Sequence, residues 1–173
     1  MAWPRVDHPR WSLADTPKDS IEEQQERPIR LPELRLDTVA AKLQVLGARR
    51  AVDLGCVSGK LLKGLLAERI FKEIVGIDVL AVSLENAARR IRLETMPERQ
   101  KEHIELLHGA LTYRDRRIEG YDAAALVEVI EHLDPDRLVA LERAVFEFAG
   151  PEHVIITMPN REYNTKFEGM EPG

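Results

Sequence analysis

Cysteine is almost absent: Cys56 is the only one in 173 residues. A single thiol excludes an internal disulfide and a cysteine zinc cage, and it fits a reducing compartment. Long apolar runs are missing as well. No stretch approaches the ~20 apolar residues of a membrane span, and the N-terminus carries no signal-peptide core. The expectation is a cytoplasmic chain with no membrane partner. Nor is there a global basic field. Thirty acids against 25 Lys and Arg leave a formal charge of −5, so any nucleic-acid contact must come from a local patch. What is present, 44% hydrophobic and 32% charged residues, fits one globular domain with a real core.

Residues 1–34 read as an N-terminal arm or linker. Pro4, Pro9, Pro17, Pro28 and Pro32 are spread among charges, with Trp3 and Trp11 as the strong apolar anchors. Ser20 and Glu23 have the spacing of a capping box, and Pro28 ends any short helix they open. From Leu36, the positions Leu36, Val39, Ala40, Leu43 and Leu46 follow helical spacing as far as Gly47, which suits a helix end.

The stretch Ala51-Val-Asp53-Leu-Gly55-Cys-Val-Ser-Gly59-Lys-Leu-Leu62 reads as strand, tight turn and helix. Gly55 allows the sharp turn, Gly59 gives a ligand access to the helix N-terminus, and Asp53 places a carboxylate at the strand end. Such a turn suits an adenosine cofactor at the carboxyl edge of a parallel sheet. An ordinary strand-to-helix turn is the alternative. The spacing, Asp-x-Gly-x-x-x-Gly, departs from the dinucleotide fingerprint at Val57. It resembles the loop of class I S-adenosylmethionine methyltransferases with one glycine fewer.

Downstream the pattern alternates. A helix near Lys60–Glu68 precedes a strand Ile74–Asp78, and a helical pattern of Ser83, Leu84, Ala87, Ala88 and Ile91 is broken at Met96-Pro97. Strands follow at Ile104–Gly109, Tyr121–Val127 and Val154–Thr157, with a helix opened by Asp134-Pro135 that shows Leu138, Leu141, Val145 and Phe148 on one face. This is an α/β fold, a doubly wound parallel sheet of order 3-2-1-4-5.

Asp78 ends the second strand, where a carboxylate can accept both ribose hydroxyls of an adenosine; a turn acid is its plainer role. Ala110 and Leu111, after the third strand, occupy the adenine position, or form a simple turn. Glu128, Glu131 and His132 leave the fourth strand at the same edge. Two carboxylates and an imidazole within five residues suit a divalent Mg, Mn or Co ion, although such runs also cap helices without metal. Arg89, Arg90, Arg92, Arg99 and Lys101 form one basic cluster and Arg114, Arg116 and Arg117 another. Either can track a phosphate backbone, but interspersed acids favour solvated helix faces.

The segments His108–Asp115, Tyr121–Leu133 and Met158-Pro-Asn-Arg-Glu-Tyr-Asn164 together resemble the bacterial branch of the RNA 3′-terminal ribose 2′-O-methyltransferases, which mark small RNAs in eukaryotes and act in RNA repair in bacteria. The resemblance implies that residues 35–173 are an S-adenosylmethionine-dependent methyltransferase domain. Asp53, Gly55, Gly59, Asp78, Ala110 and Leu111 would hold the cofactor. Glu128, Glu131 and His132 would be catalytic ligands of a metal that grips the 2′ and 3′ oxygens, and Asn160, Tyr163 and Asn164 would meet the substrate. It also implies an RNA 3′ end as substrate, and a polynucleotide kinase-phosphatase repair enzyme as a partner bound through regions outside this domain.

Two features depart from the family. Val57 replaces a glycine, and no histidine follows His153, whereas the family carries a further metal-binding histidine beyond the Pro-Asn loop. The usual seven-stranded sheet needs two more strands than the roughly 15 residues after Thr157 can form, so a truncated domain of weak or no activity is expected. The rival functions are a metal-independent small-molecule O- or N-methyltransferase and a non-catalytic cofactor-binding module.

Overall fold

The computed structural model describes residues 31–159. The expected cap at Ser20–Glu23, the anchors Trp3 and Trp11, and the substrate candidates Asn160, Tyr163 and Asn164 lie outside them.

Five parallel strands form the centre: β1 (Arg50–Leu54), β2 (Glu73–Asp78), β3 (Ile104–His108), β4 (Ala123–Val127) and β5 (His153–Thr157). Their order is β3-β2-β1-β4-β5, the order read from the sequence. β1 and β2 are buried along nearly their whole length, as strands covered on both faces must be. The register sets Asp53 beside Gly76 and Val127 beside Thr157, so the strand ends that carry acids share one edge.

On one face lie helices α1 (Leu31–Val45), α2 (Lys60–Ala67) and α3 (Ala81–Ile91). Val39, Leu43, Leu61, Leu62, Leu65, Ala87 and Ile91 form the core there. α1 begins at Leu31, five residues ahead of Leu36, and its apolar face ends at Leu43. Leu46 lies beyond the helix and is exposed, while the Ala48 amide closes onto the Leu43 carbonyl at 3.1 Å. A four-residue helix, α4 (Glu98–Lys101), precedes β3.

The other face is covered by α5 (Pro135–Glu142) and the turn that follows it. Asp134 caps α5 by accepting the Arg137 amide at 2.9 Å, with Pro135 in the first turn. The helix does not continue as α: Arg143–Ala149 is π-helical. Within that wider i→i+5 winding Val145 and Ala149 face the core beside Leu141 of α5. Leu138 and Phe148, expected on that face, are exposed. Phe148 lies instead under the Arg114 guanidinium, 5.2 Å from the ring centre.

β4 starts at Ala123 rather than Tyr121 because the two preceding residues tie the opposite, amino edge of the sheet. The Asp122 carboxylate accepts the Arg49 and Arg50 amides at 2.7 and 2.8 Å, and these backbone bonds hold it below the ordinary carboxylate range. Tyr121 donates to Glu73 at 2.6 Å. Arg50 stacks on the Tyr121 ring at 4.4 Å and pairs with Glu73 at 2.6 Å. Among the described residues no helix is long and apolar enough to cross a membrane.

Candidate active site

The glycine loop is drawn under β2. The amides of Gly55 and Cys56 both donate to the Ile77 carbonyl, at 2.9 and 3.0 Å. Gly55 sits at φ +84°, and a Cβ there would stand 2.8 Å from the Val129 side chain. Gly59 has φ +67°, and its Cβ would fall 2.8 Å from the Cβ and 2.9 Å from the Cα of Ala87. The structural reason for Gly59 is therefore the seating of α3 against the loop, in addition to its backbone conformation.

Val57, where a glycine was expected, adopts φ +43°, a region costly for a β-branched residue. Its amide donates to Asp78 Oδ2 at 2.9 Å, and the Leu80 amide donates to Asp78 Oδ1 at 2.9 Å. The buried Asp78 carboxylate thus stitches β2 to the loop, and each oxygen keeps a lone pair for a further donor. Gly109 donates to the Asp78 carbonyl at 3.1 Å, which brings the Ala110–Leu111 turn alongside. That turn lines a recess of only about 10 Å³, with Leu111 packed toward Gly55.

Asp53 is 2% exposed. Burial, with the nearby Asp78 charge added, pushes its carboxyl up to about 7. Burial likewise pushes the Cys56 thiol up to about 12, assisted by Asp53 and Asp78. A cleft of about 210 Å³ opens beside this loop, lined by Asp53, Val57 and Lys60 on one side and by Arg35 of α1 and Glu128 on the other.

Glu128 follows β4 at φ +56°, its amide donating to the Thr157 carbonyl at 3.1 Å. Its carboxylate is ion-paired with Arg35. Glu131 and His132 stand on the next turn, Ile130–His132, exposed to solvent. The structure thus brings Glu128 into the cleft with Asp53, but leaves Glu131 and His132 outside its lining, exposed on the following turn. Among the described residues no three His, Cys, Asp or Glu side chains are gathered to hold a metal. The donor types suit a divalent ion; their arrangement, with Arg35 on Glu128, does not fit one.

Arg35 and Lys60 were not singled out from the sequence. The signal for Arg35 is its spacing: it precedes the buried Val39 and Leu43 at i, i+4 and i+8 on α1. Of the second basic cluster, Arg114 is bound to Glu119 at 2.9 Å and Arg117 to Asp115, so those two charges are compensated locally.

The profile of the methyltransferase domain family matches residues 52–150, which span the loop, Asp78 and the Glu128–His132 turn. The crystal structure of the methyltransferase domain of bacterial CtHen1 superposes with a TM-score of 0.78 at 45% identity, over 81% of this chain and 72% of that one. The chain belongs to the Hen1-like methyltransferases. The structure of small RNA methyltransferase HEN1 matches at 27% identity with a TM-score of 0.70, over 78% of this chain and 17% of that one. The small RNA 2'-O-methyltransferase of Rattus norvegicus is 34% identical over 69% of this chain and 31% of its own length. The chain therefore spans about a third of the curated relatives it matches. The fold is that of S-adenosylmethionine-dependent enzymes, and the glycine loop, Asp78 and the cleft lie at its carboxyl edge.

Proposed function

We propose that this Hen1-like domain transfers a methyl group from S-adenosylmethionine to the 2′-hydroxyl of an RNA 3′-terminal ribose. The observation that supports it is the placing of Asp53, the glycine loop and Glu128 around one cleft, in a chain that belongs to the Hen1-like methyltransferases. Bound S-adenosylmethionine would supply a methyl group on a cationic sulfur that leaves as a neutral thioether. Asp78 would accept the cofactor's ribose hydroxyls, and Ala110 and Leu111 would border its adenine. Gly55, whose missing side chain makes room for Val129, would hold the turn against β2 beneath the ligand. Asp53, once ionised, would face its positive charges. Lys60, which lines the cleft, adds a cation that suits the carboxylate of its amino-acid end.

Glu128, Glu131 and His132 would serve the substrate side. The bond formed joins the 2′ oxygen to the methyl carbon and the bond broken is carbon to sulfur, with the hydroxyl proton passing to a base on the Glu131–His132 turn. Orientation of the two reactants contributes much of the acceleration, as in other transfers between bound partners. Asn160, Tyr163 and Asn164 belong to this reading as substrate contacts. So do a setting in RNA repair and a polynucleotide kinase-phosphatase partner.

Metal dependence is a separate limb of the proposal. It draws on the donor types of Glu128, Glu131 and His132, which among the described residues are not gathered to hold an ion. The pairing of Glu128 with Arg35 favours a second reading, a metal-independent small-molecule methyltransferase. The deciding experiment supplies labelled S-adenosylmethionine with RNA ending in ribose or in 2′-deoxyribose, with and without EDTA. Label restricted to the ribose end and lost with EDTA supports the full proposal. Small-molecule hydroxyl and amine acceptors offered in parallel that take up label in the presence of EDTA support the second reading.

A further inference from the structure

The outer side of α2 and α3 carries two adjoining recesses that meet at Leu66 and Gln100. One, of about 560 Å³, is lined by Lys63, Arg90 and Arg92 and by no carboxylate. The other, of about 470 Å³, is lined by Arg69, Lys72 and Arg99, with His103 and a single acid, Glu68. Six cations against one carboxylate line this trough, in a chain whose formal charge is −5. Among the described residues none of the six is ion-paired. Arg90 donates to the Ser58 carbonyl at 2.7 Å and Lys72 to the Arg69 carbonyl at 3.1 Å, contacts that leave both charges uncompensated.

The neighbouring acids stay outside. Glu98 is paired with Lys101 at 2.7 Å, while Glu85 and Glu94 line the next recess with Arg89 and with Arg92, which borders both. The folded chain has thus sorted the mixed basic cluster of the sequence. Arg90 and Arg99 enter the trough, joined by Lys63, Arg69 and Lys72 from α2 and its end, Arg92 stands between the trough and the acidic recess, and Arg89 and Lys101 lie with acids.

Position gives the trough its occupant. Lys63 lies one turn into α2, whose first residue follows the glycine loop, and Arg69 and Lys72 follow the helix end. At 1.5 Å per residue α2 is about 12 Å long, the axial length of three to four nucleotides at roughly 3.4 Å each. We infer that this trough binds the sugar-phosphate backbone of the RNA strand, upstream of the 3′ ribose that sits at the carboxyl edge. The inference rests on the proposed RNA substrate and adds where that substrate runs. Because its contacts are to phosphates, it gives affinity without sequence preference.

The test measures binding of a fluorescent 12-nucleotide RNA with a free 3′ ribose to the full chain, by anisotropy over a range of salt. Lys63→Ala and Arg99→Ala should each weaken binding about three- to tenfold on any sequence and reduce the salt slope by about 1. Lys101→Ala, outside the trough, should change neither. Cofactor calorimetry and melting temperature, expected to be unchanged, show that each variant is folded. A slope that stays the same, an equal loss in Lys101→Ala, or RNA that does not bind overturns the trough. RNA that binds through the trough while labelled methyl goes only to small-molecule acceptors leaves the trough standing and overturns the proposed reaction.

Discussion

Arg35, near the start of α1, is ion-paired with Glu128, the first residue after β4 and 93 positions further along the chain. The contact joins the helix that precedes the sheet to the turn that carries the proposed substrate groups. Both side chains are partly exposed, so the pair should contribute at most about 1 kcal/mol. Arg35→Ala is expected to lower the urea midpoint only slightly. If Glu128 is a metal ligand, the same variant should bind Mn²⁺ about two- to fivefold more tightly, the equivalent of a pair of that strength. Unchanged affinity by calorimetry would remove Glu128 from the ligand set.

Val57→Gly should stabilise the domain by about 1 kcal/mol. The substitution relieves a β-branched residue at φ +43°, a conformation that costs of order 1–3 kcal/mol, less the entropy that glycine loses on folding. It keeps the amide that Asp78 accepts. Chemical denaturation decides it, and a loss of stability would show that the valine side chain makes a compensating contact.

Two alanine substitutions only five positions apart should act in opposite directions. Gly59→Ala would drive a methyl into the Cβ and backbone of Ala87 at a positive φ, and is expected to cost about 2–4 kcal/mol. Gly64→Ala, inside α2 with open space around it, should add about 0.5–1 kcal/mol of stability. Paired thermal melts read both signs.

The pH dependence of stability should carry the mark of Asp53. Its folded value of about 7 lies above the unfolded value of about 3.9, so the native state binds more protons between them. Stability therefore falls as pH rises through that window and levels off above about 7. Asp53→Asn should remove this component from urea midpoints measured at about pH 5 and 8. In the unsubstituted chain, affinity for the cationic cofactor should rise over the same interval as the carboxylate ionises.

The strand order was legible because near-continuous apolar strands alternate with amphipathic helices, and because Gly55, Asp78 and Asp134-Pro135 punctuate them. What escaped the reading depends on three-dimensional contact. The π-helical turn at Arg143–Ala149 moves Phe148 out of the core with no local marker. The tie among Arg50, Glu73, Tyr121 and Asp122 joins residues from three places in the chain. Arg35 reads as a surface charge until α1 is laid against β4. The Glu128–His132 run looked like one cluster, yet the backbone after β4 sends Glu128 inward and leaves Glu131 and His132 exposed.

The close packing of Gly76 has a practical consequence. A Cβ on this β2 glycine would stand 2.6 Å from Leu62 and 3.1 Å from the Cys56 sulfur, so helix, strand and loop meet there with no spare volume. The lone thiol sealed at that junction is 5% exposed and held protonated, pushed up to about 12. Reagent must wait for the loop to lift away from β2, so the alkylation rate of Cys56 is a stopwatch for cofactor-loop opening that the chain carries without any engineered label.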